Sequence, residues 1–201
     1  MIIKKTAVYG CAAIKLERHD DERGCFHEIY EEAKYHGLIG PSLRHVDSGI
    51  RWSQANWSVS KRNVIRGIHV ADYAKLVTCV AGCITDFVVD LRPESPTFME
   101  HAAIDLSHEN HMQVFVPPGC GHGFYSHHHD TTVIYLTSGR FAEHGERTLL
   151  YSDPAVGIEW PGFDQVVSDR DRNGKSLEEI VGYALCQSIA MARSAARAKS
   201  Q

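Results

Sequence analysis

The sequence predicts an all-β protein, an antiparallel β-sandwich or jelly roll, followed by one C-terminal helix. About ten short runs of β-branched and aromatic residues lie between turn signals, and almost no helical periodicity precedes residue 175. After that point, apolar residues recur at helical spacing. The chain therefore divides into a predicted jelly-roll domain over residues 1–175 and a helix with a basic tail over residues 176–201.

The composition is that of an ordinary globular domain. Hydrophobic residues make up 43% of the 201 residues, charged residues 23%, and the net charge is −4. This charge does not suggest a nucleic-acid partner, and no apolar run approaches the ~20 residues of a membrane span. The first residues predict a strand and not a signal peptide, so we expect a cytoplasmic protein whose six cysteines are free thiols.

One stretch, residues 63–91, places a histidine and a lysine on a run otherwise built for burial. A lysine ammonium among strand residues is costly to bury without a partner. Taken alone, His69 is better explained as a hydrogen-bonded core histidine, and Lys75 as a side chain that points to solvent. Considered with His122 and Asp171, the two residues favour a functional site.

A polar turn at residues 20–24 precedes a predicted strand on which Phe26, Glu28 and Tyr30 share one face. Arg23 in that turn, beside an aromatic ring and a carboxylate, is suited to a phosphate and a base. The motif by itself is better explained as a solvated turn. The following residues, 31–38, predict one short helix.

The segment 51–60 alternates and places Gln54 and Asn56 on one face of a strand. Their amides offer donors and acceptors in a row, which suits the edge of a flat heterocycle. The alternative is a hydrated strand face.

Three later segments carry further candidates. Residues 117–123 predict a tight glycine-rich turn that presents His122, and residues 131–137 predict a strand that includes Tyr135. A charged turn near the end of the domain contains Asp171.

The C-terminal segment predicts a helix over residues 176–191 that packs on the barrel or on a partner subunit. Ser176 and Glu179 form a capping box. Acidic residues at its start and basic residues at its end match the helix dipole.

Several of these segments together resemble the dTDP-4-dehydrorhamnose 3,5-epimerase family, the epimerases of dTDP-4-keto-6-deoxyhexoses. The similarity covers roughly residues 1–175. The segments that carry it are DERGCFHE (21–28), SQANWSVSKRNVIRGIH (53–69), KLVTCVAGCITDFVVDLRPESPTF (75–98), VPPGCGHGF (116–124), GIEWP (157–161) and SDRD (168–171).

The resemblance implies a cupin jelly roll that acts as a homodimer on a nucleotide sugar and needs no metal or organic cofactor. It implies a base at His69 that Asp171 orients, with Lys75 near the substrate carbonyl and Tyr135 as the acid on the opposite face. The implied substrate contacts are Arg23 and Arg66 to phosphate or sugar, Phe26, Glu28, Gln54 and Asn56 to the nucleotide, and His122 as a second active-site histidine.

Two departures from the family pattern leave the substrate and the epimerised carbon open. Only five residues separate His69 from Lys75, and Phe141 replaces the family's second tyrosine. The alternatives are an epimerase of another nucleotide-linked 4-keto sugar, such as a GDP-heptose, and a monofunctional 3- or 5-epimerase. A non-catalytic sugar-binding jelly roll and a metal-dependent cupin are more remote, because the facial set of ligands expected of the latter is missing near His69. The adjacent histidines at 127–129 cannot all face one way on a strand, so we predict no metal site there.

Overall fold

A computed structural model of the chain describes residues 1–35, 50–141 and 146–182. Within these ranges the chain forms two six-stranded sheets and a small two-stranded hairpin. Side chains from both large sheets meet in shared buried clusters, as in a sandwich. The predicted all-β jelly-roll fold is therefore confirmed.

The first sheet, sheet I, is antiparallel throughout. In order across the sheet, its strands are β1 (Ile2–Lys5), β2 (Ala12–Lys15), β10 (Met112–Val116), β7 (Lys75–Ala81), β12 (Thr131–Thr137) and β5 (Gln54–Ser60). The bounds of β12 are those predicted from the sequence for residues 131–137. Strand β5 lies at one edge of this sheet.

The second sheet, sheet II, contains the strand that carries His69. In order, its strands are β13 (Arg147–Thr148), β6 (Val64–Val70), β11 (Cys120–Ser126), β8 (Cys83–Asp90) and β9 (His101–Ser107), and β14 (Val166–Val167) pairs in parallel with β6. The separate hairpin consists of β3 (His19–Asp21) and β4 (Gly24–Phe26).

The main core lies between the two sheets. Val77 and Val114 of sheet I pack in one cluster with Val88, Leu106 and Phe124 of sheet II, and none is more than 4% exposed. Burial of each such side chain contributes roughly 1.5–3 kcal/mol relative to exposure. This cluster holds the inner faces of the sheets against each other.

A second cluster covers the opposite face of β6. Ile68 and Val70 pack there against Leu149 and Leu177, so residues on both faces of the strand are buried. Leu177 is the first residue of helix α2 (Leu177–Val181), which begins with the predicted capping box between Ser176 and Glu179. The helix thus packs on the barrel, behind the strand that carries His69. The helix ends at Val181, because Gly182 adopts φ +92° as its C-cap, so the prediction of one unbroken helix over residues 176–191 is wrong at Gly182. The residues from 183 on, with the basic tail, lie outside the described residues.

The prediction of one strand from residue 25 to 30 is wrong. Strand β4 ends at Phe26, because its partner β3 offers only three paired residues. The next residues are instead tied to a helical turn at residues 32–35, through the Lys34–Glu28 ion pair and the bond from the Tyr35 hydroxyl to the Ile29 carbonyl. Phe26 and Glu28 therefore do not share a strand face. Only part of the helix predicted at 31–38 lies within the described residues.

Three further predictions need smaller corrections. His122 lies inside strand β11 and not in the turn, which ends at Gly119. The predicted charged turn around Asp171 is a short helix, α1 (Asp169–Arg172), because the Ser168 hydroxyl accepts the Asp171 backbone N–H as an N-cap. The sequence also predicts a strand at residues 146–151, of which the structure forms only β13.

Candidate active site

A cavity of about 460 Å³ opens between the two sheets, and its size is that of a small-molecule site. Sheet II contributes His69 and His122, and sheet I contributes Lys75 and Tyr135. The other residues that line the cavity are Ser58, Val64, Ile65, Arg66, Phe124, Glu146, Val166, Val167, Ser168, Arg170 and Asp171. We refer to this space as the inter-sheet cavity.

Strand register explains why these side chains converge. His69 and His122 are direct partners in the β6–β11 ladder. Lys75 is paired with Thr137 in the β7–β12 ladder, so Tyr135, two residues earlier, projects from the same face. The two histidines thus face the lysine and the tyrosine across the sandwich.

A β-bulge shapes the His69 side of the cavity. The register of β11 against β6 shifts between His122 and Phe124. Gly67 has φ +119°, and a Cβ on it would lie 2.6 Å from the Gly123 Cα, so only glycine allows this approach. Its backbone N–H points at Asp171, 3.3 Å from Oδ2.

His69 and Asp171 form a close pair. The distance from His69 Nε2 to Asp171 Oδ1 is 2.7 Å, and the Asp171 side chain is 5% exposed. Burial alone raises the pKa of Asp171, but the hydrogen bonds from His69 and from the Gly67 N–H outweigh it, and the pKa is lowered. An ionised Asp171 accepts the Nε2 proton, which leaves Nδ1 as the nitrogen able to take another.

Lys75 also has a partner, which answers the cost of burying it. Its Nζ lies 2.8 Å from Glu146 Oε1, and its side chain is 5% exposed. Burial raises the pKa of Glu146, yet the ammonium of Lys75 and its other donors outweigh this and lower it. The second oxygen of Glu146 lies 3.8 Å from His69 Nδ1. One carboxylate therefore borders both the lysine and the histidine.

Tyr135 lines the cavity on the sheet I side. Burial and the nearby charge of Glu146 raise the pKa of its hydroxyl, and Arg66 opposes them. The phenol is therefore protonated at neutral pH and able to donate a proton.

His122 forms a second histidine–aspartate pair, deeper in the fold. Its Nε2 lies 2.8 Å from Oδ2 of Asp86, a fully buried residue. The other oxygen, Oδ1, has no hydrogen-bond partner in the described part of the chain. Burial raises the pKa of Asp86, although His122 and Lys75 oppose the shift.

Of the predicted substrate contacts, Arg66 reaches the inter-sheet cavity and several others do not. Its guanidinium donates to the Ser60 hydroxyl at 3.0 Å and to the Val59 carbonyl at 3.1 Å. Gln54 and Asn56 lie outside the cavity lining and bond each other at 2.6 Å.

The hairpin residues are also separate from the cavity. Arg23 pairs with Asp21 and is largely exposed, the ring of Phe26 is 66% exposed, and Glu28 pairs with Lys34 at 2.7 Å. Phe26 and Glu28 instead line a distinct surface cavity beside β3. As the described residues line them, neither this surface cavity nor the inter-sheet cavity contains both these residues and His69.

Three residues at the site were missed from the sequence: Glu146, Asp86 and Arg170. The Arg170 guanidinium lies 3.6 Å from Glu146 and donates to the Thr148 hydroxyl at 3.0 Å. The sequence offered one usable signal, since a buried Lys75 requires an acidic partner.

Within residues 1–35, 50–141 and 146–182, no three His, Cys, Asp or Glu side chains are arranged to hold a metal ion. In the same ranges, no helix has the length and apolarity needed to cross a bilayer.

Known proteins resemble the chain along most of its length. The family profile described as dTDP-4-dehydrorhamnose 3,5-epimerase matches residues 5–179. The dTDP-4-dehydrorhamnose 3,5-epimerase of Salmonella typhimurium is 36% identical over 185 residues, covering 89% of this chain and 97% of that protein. A dTDP-4-dehydrorhamnose 3-epimerase from Streptomyces niveus is also 36% identical, over 202 residues, covering 94% of this chain and 93% of the relative.

Solved structures extend the likeness to the fold. The dTDP-6-deoxy-D-glucose-3,5-epimerase of Legionella pneumophila, solved in complex with dTDP-4-keto-L-rhamnose, superposes with a TM-score of 0.81 at 32% identity. The match covers 90% of this chain and 96% of that one. With the profile spanning most of the sequence and relatives above 30% identity, the chain belongs to the dTDP-4-dehydrorhamnose 3,5-epimerase family.

Proposed function

We propose that the chain is an epimerase of a nucleotide-linked 4-keto-6-deoxy sugar and inverts C3, C5 or both through an enolate. One observation supports these residue roles. His69 of sheet II, paired with Asp171, faces Lys75 and Tyr135 of sheet I across a cavity of substrate size. Epimerisation needs a base and an acid on opposite faces of a carbon. The two sheets supply these two faces.

Each group has a defined task in the proposed reaction. The C4 ketone acidifies the hydrogens on C3 and C5, and His69 Nδ1 removes one of them as a proton. Asp171 stabilises the imidazolium that forms. Lys75 stabilises the negative charge that gathers on the enolate oxygen. Tyr135 then protonates the carbon from the opposite face. Afterwards the His69 imidazolium releases its proton to solvent, and the Tyr135 phenolate takes up a proton from solvent.

We assign the remaining predicted residues to substrate binding, without a metal or organic cofactor. Arg66 and His122 line the cavity and contact the sugar or its phosphate. Arg23, Phe26, Glu28, Gln54 and Asn56 contact the nucleotide. Because these five lie outside the cavity lining, the nucleotide either extends over the rim or meets residues of a second chain.

A homodimer in the cytoplasm is part of the proposal. Edge strand β5 exposes Trp57 and Val59, which are 73% and 50% exposed. An apolar, unprotected strand edge favours association with another chain. Mixing His69→Ala with Arg23→Ala chains tests whether the partners share a site. Recovered activity indicates that Arg23 acts on the partner's cavity, and a monomer in sedimentation contradicts the homodimer.

The reaction is tested by incubating the protein with several 4-keto nucleotide sugars, dTDP-linked and GDP-linked, in deuterated water. NMR locates any deuterium on the sugar ring. Label at C3, C5 or both, with inverted product, supports the proposal and identifies the nucleotide. Absence of label from every sugar contradicts it, and leaves a sugar-binding jelly roll as the explanation.

Epimerisation at C3 alone is the second candidate. The Streptomyces niveus 3-epimerase and the Salmonella typhimurium 3,5-epimerase are equally similar to the chain, at 36% identity. In addition, Phe141 stands at the position of the family's second tyrosine. The same spectra decide between the two, since a 3-epimerase leaves C5 unlabelled.

A further inference from the structure

The carboxylate of Glu146 is shared by more groups than the proposed reaction uses. Its Oε1 accepts a hydrogen bond from Lys75 Nζ at 2.8 Å and another from the Tyr73 hydroxyl at 2.9 Å. Its Oε2 faces His69 Nδ1 at 3.8 Å and the Arg170 guanidinium at 3.6 Å. One oxygen thus serves the lysine side of the cavity, and the other serves the histidine side.

Tyr73 comes from the short connection between β6 and β7, residues 71–74. This connection is held firmly at both ends. The Ala71 carbonyl accepts the Gly119 N–H at 2.8 Å, and Ala74 exchanges bonds with Ser138 at 2.9 and 3.0 Å. Tyr73 itself is 6% exposed, and its ring lies 5.7 Å from Lys75 Nζ. The position of its hydroxyl is therefore fixed by the backbone.

We propose that Tyr73 is a positioning residue that acts through Glu146 and sets the location of the Lys75 ammonium. The proposal rests on the proposed function, in which Lys75 stabilises the enolate. Tyr73 is not among the described residues that line the inter-sheet cavity, so its proposed effect reaches the substrate through Glu146 and Lys75. Its hydroxyl holds one Glu146 oxygen in place from behind.

Both the charge and the orientation of the Glu146 carboxylate affect Lys75. A free carboxylate beside Lys75 competes with the enolate oxygen for the same ammonium. The Tyr73 hydroxyl donates to the same Oε1 that accepts from Lys75, which disperses part of the charge of that oxygen and holds the carboxylate in the orientation in which only one of its oxygens bonds the ammonium. Lys75 then keeps N–H donors directed into the cavity. Because this benefit arises when the enolate forms, it affects turnover more than ground-state binding.

The first test compares two variants that each lose one buried phenolic hydroxyl. In Tyr73→Phe, we expect kcat for deuterium exchange to fall about tenfold, with KM changed less than about twofold. The matched control is Tyr35→Phe, since the Tyr35 hydroxyl is bonded to Gln113 at 2.5 Å, outside the site. That control should lose stability but keep kcat. Equal kcat in Tyr73→Phe and wild type overturns the proposal.

A double-mutant cycle separates the proposed route from a general packing effect. If Tyr73 acts through the Glu146 carboxylate, Tyr73→Phe should cause little further loss in a Glu146→Gln background. Full additivity of the two losses shows that Tyr73 does not act through Glu146. Lys75→Met gives the upper limit, because it removes the ammonium that both residues position.

A measurement without substrate keeps the proposal independent of the reaction. The ¹⁵N ammonium signal of Lys75, assigned by its loss in Lys75→Met, should shift in Tyr73→Phe and stay unchanged in Tyr35→Phe. If Tyr73→Phe is insoluble, Tyr73→Met serves as the second variant. Wild type that labels no sugar contradicts the proposed function alone, whereas active wild type with an unmoved Lys75 signal in the variant contradicts the role of Tyr73.

Discussion

The fold contains two histidine–aspartate pairs with almost the same geometry and different surroundings. The Nε2–oxygen distances are 2.7 Å in His69–Asp171 and 2.8 Å in His122–Asp86. Asp171 sits in a short helix and also faces a backbone N–H, and its pKa is lowered. Asp86 lies fully buried in a strand, and burial raises its pKa.

The difference shows that the environment of a pair decides its chemistry. An ionised partner favours the imidazolium, so His69 is suited to act as a base. A carboxyl with a raised pKa gives less support to a positive charge, so His122 is suited to hold the substrate through a hydrogen bond. The predictions below test this division, beginning with the largest expected effect.

The largest effect is expected from removing each histidine in turn. His69→Ala should lower both deuterium exchange and inversion by about 10²–10⁴-fold, the usual contribution of a general base. His122→Ala should mainly raise KM and retain exchange at saturating substrate. The measurement is the exchange rate by NMR at several substrate concentrations. Equal losses of kcat in the two variants would show that both histidines act on the proton.

Replacement of the aspartates should also lower turnover more in the His69 pair than in the His122 pair, but by a smaller margin than removal of the histidines. Asp171→Asn keeps the shape but favours the wrong tautomer of His69, so we expect turnover to fall by about 10²-fold. Asp86→Asn should lower turnover by less than about threefold, because its partner His122 is not the proposed base. Steady-state kinetics of both variants decide this, with thermal melting as the folding control. A larger loss in Asp86→Asn reverses the assignment.

Tyr135→Phe tests which group returns the proton. Without the hydroxyl, the enolate is reprotonated by His69 from the face it came from, so label enters with retained configuration. The ratio of label to inverted product should rise at least about tenfold over wild type. The ratio is read from the same NMR spectra. An unchanged ratio would falsify the acid role of Tyr135 and point to another donor, such as His122.

The smallest effect concerns stability as a function of pH. The lowered pKa of Asp171 contributes stability that is present above about pH 4 and is lost as the pH falls through the native pKa. The raised pKa of Asp86 does the reverse, since stability falls as the pH rises from about 4 to its native value.

Denaturant unfolding between pH 3 and pH 7 measures the two contributions. Asp171→Asn should reduce the rise of stability with pH at the acid end of this range. Asp86→Asn should reduce the decline above about pH 4. Identical pH slopes in both variants contradict the proposed difference between the pairs.

Local patterns predicted much of the fold from the sequence. The run of β-branched and aromatic residues at 131–137 matches β12, because this strand has a ladder partner along its whole length. The capping box at Ser176 was also predicted, since it depends on residues three positions apart. The end of strand β4 at Phe26 was not predicted, because it is set by the short length of the partner strand β3 and not by a local signal.

The site was predictable where a motif carries it and hidden where long-range pairing creates it. His69, Lys75, Tyr135 and Asp171 lie together as expected. Glu146 is 71 positions from Lys75, and nothing local distinguishes it among the 25 acidic residues of the chain. The nucleotide contacts remain a prediction, because the sequence does not specify which cavity each exposed side chain serves.

The placement of the reactive groups on two separate sheets has a consequence for how this enzyme can change over time. Sheets in a sandwich lie roughly 10 Å apart, and the side chains between them determine that spacing. Val77 and Val88 belong to the cluster that fills it and are not among the residues that line the cavity. A substitution at either valine therefore alters the width available to the sugar ring while every reactive side chain is retained. The range of substrates can therefore change through mutations in the apolar core, which a comparison of active-site residues would not detect.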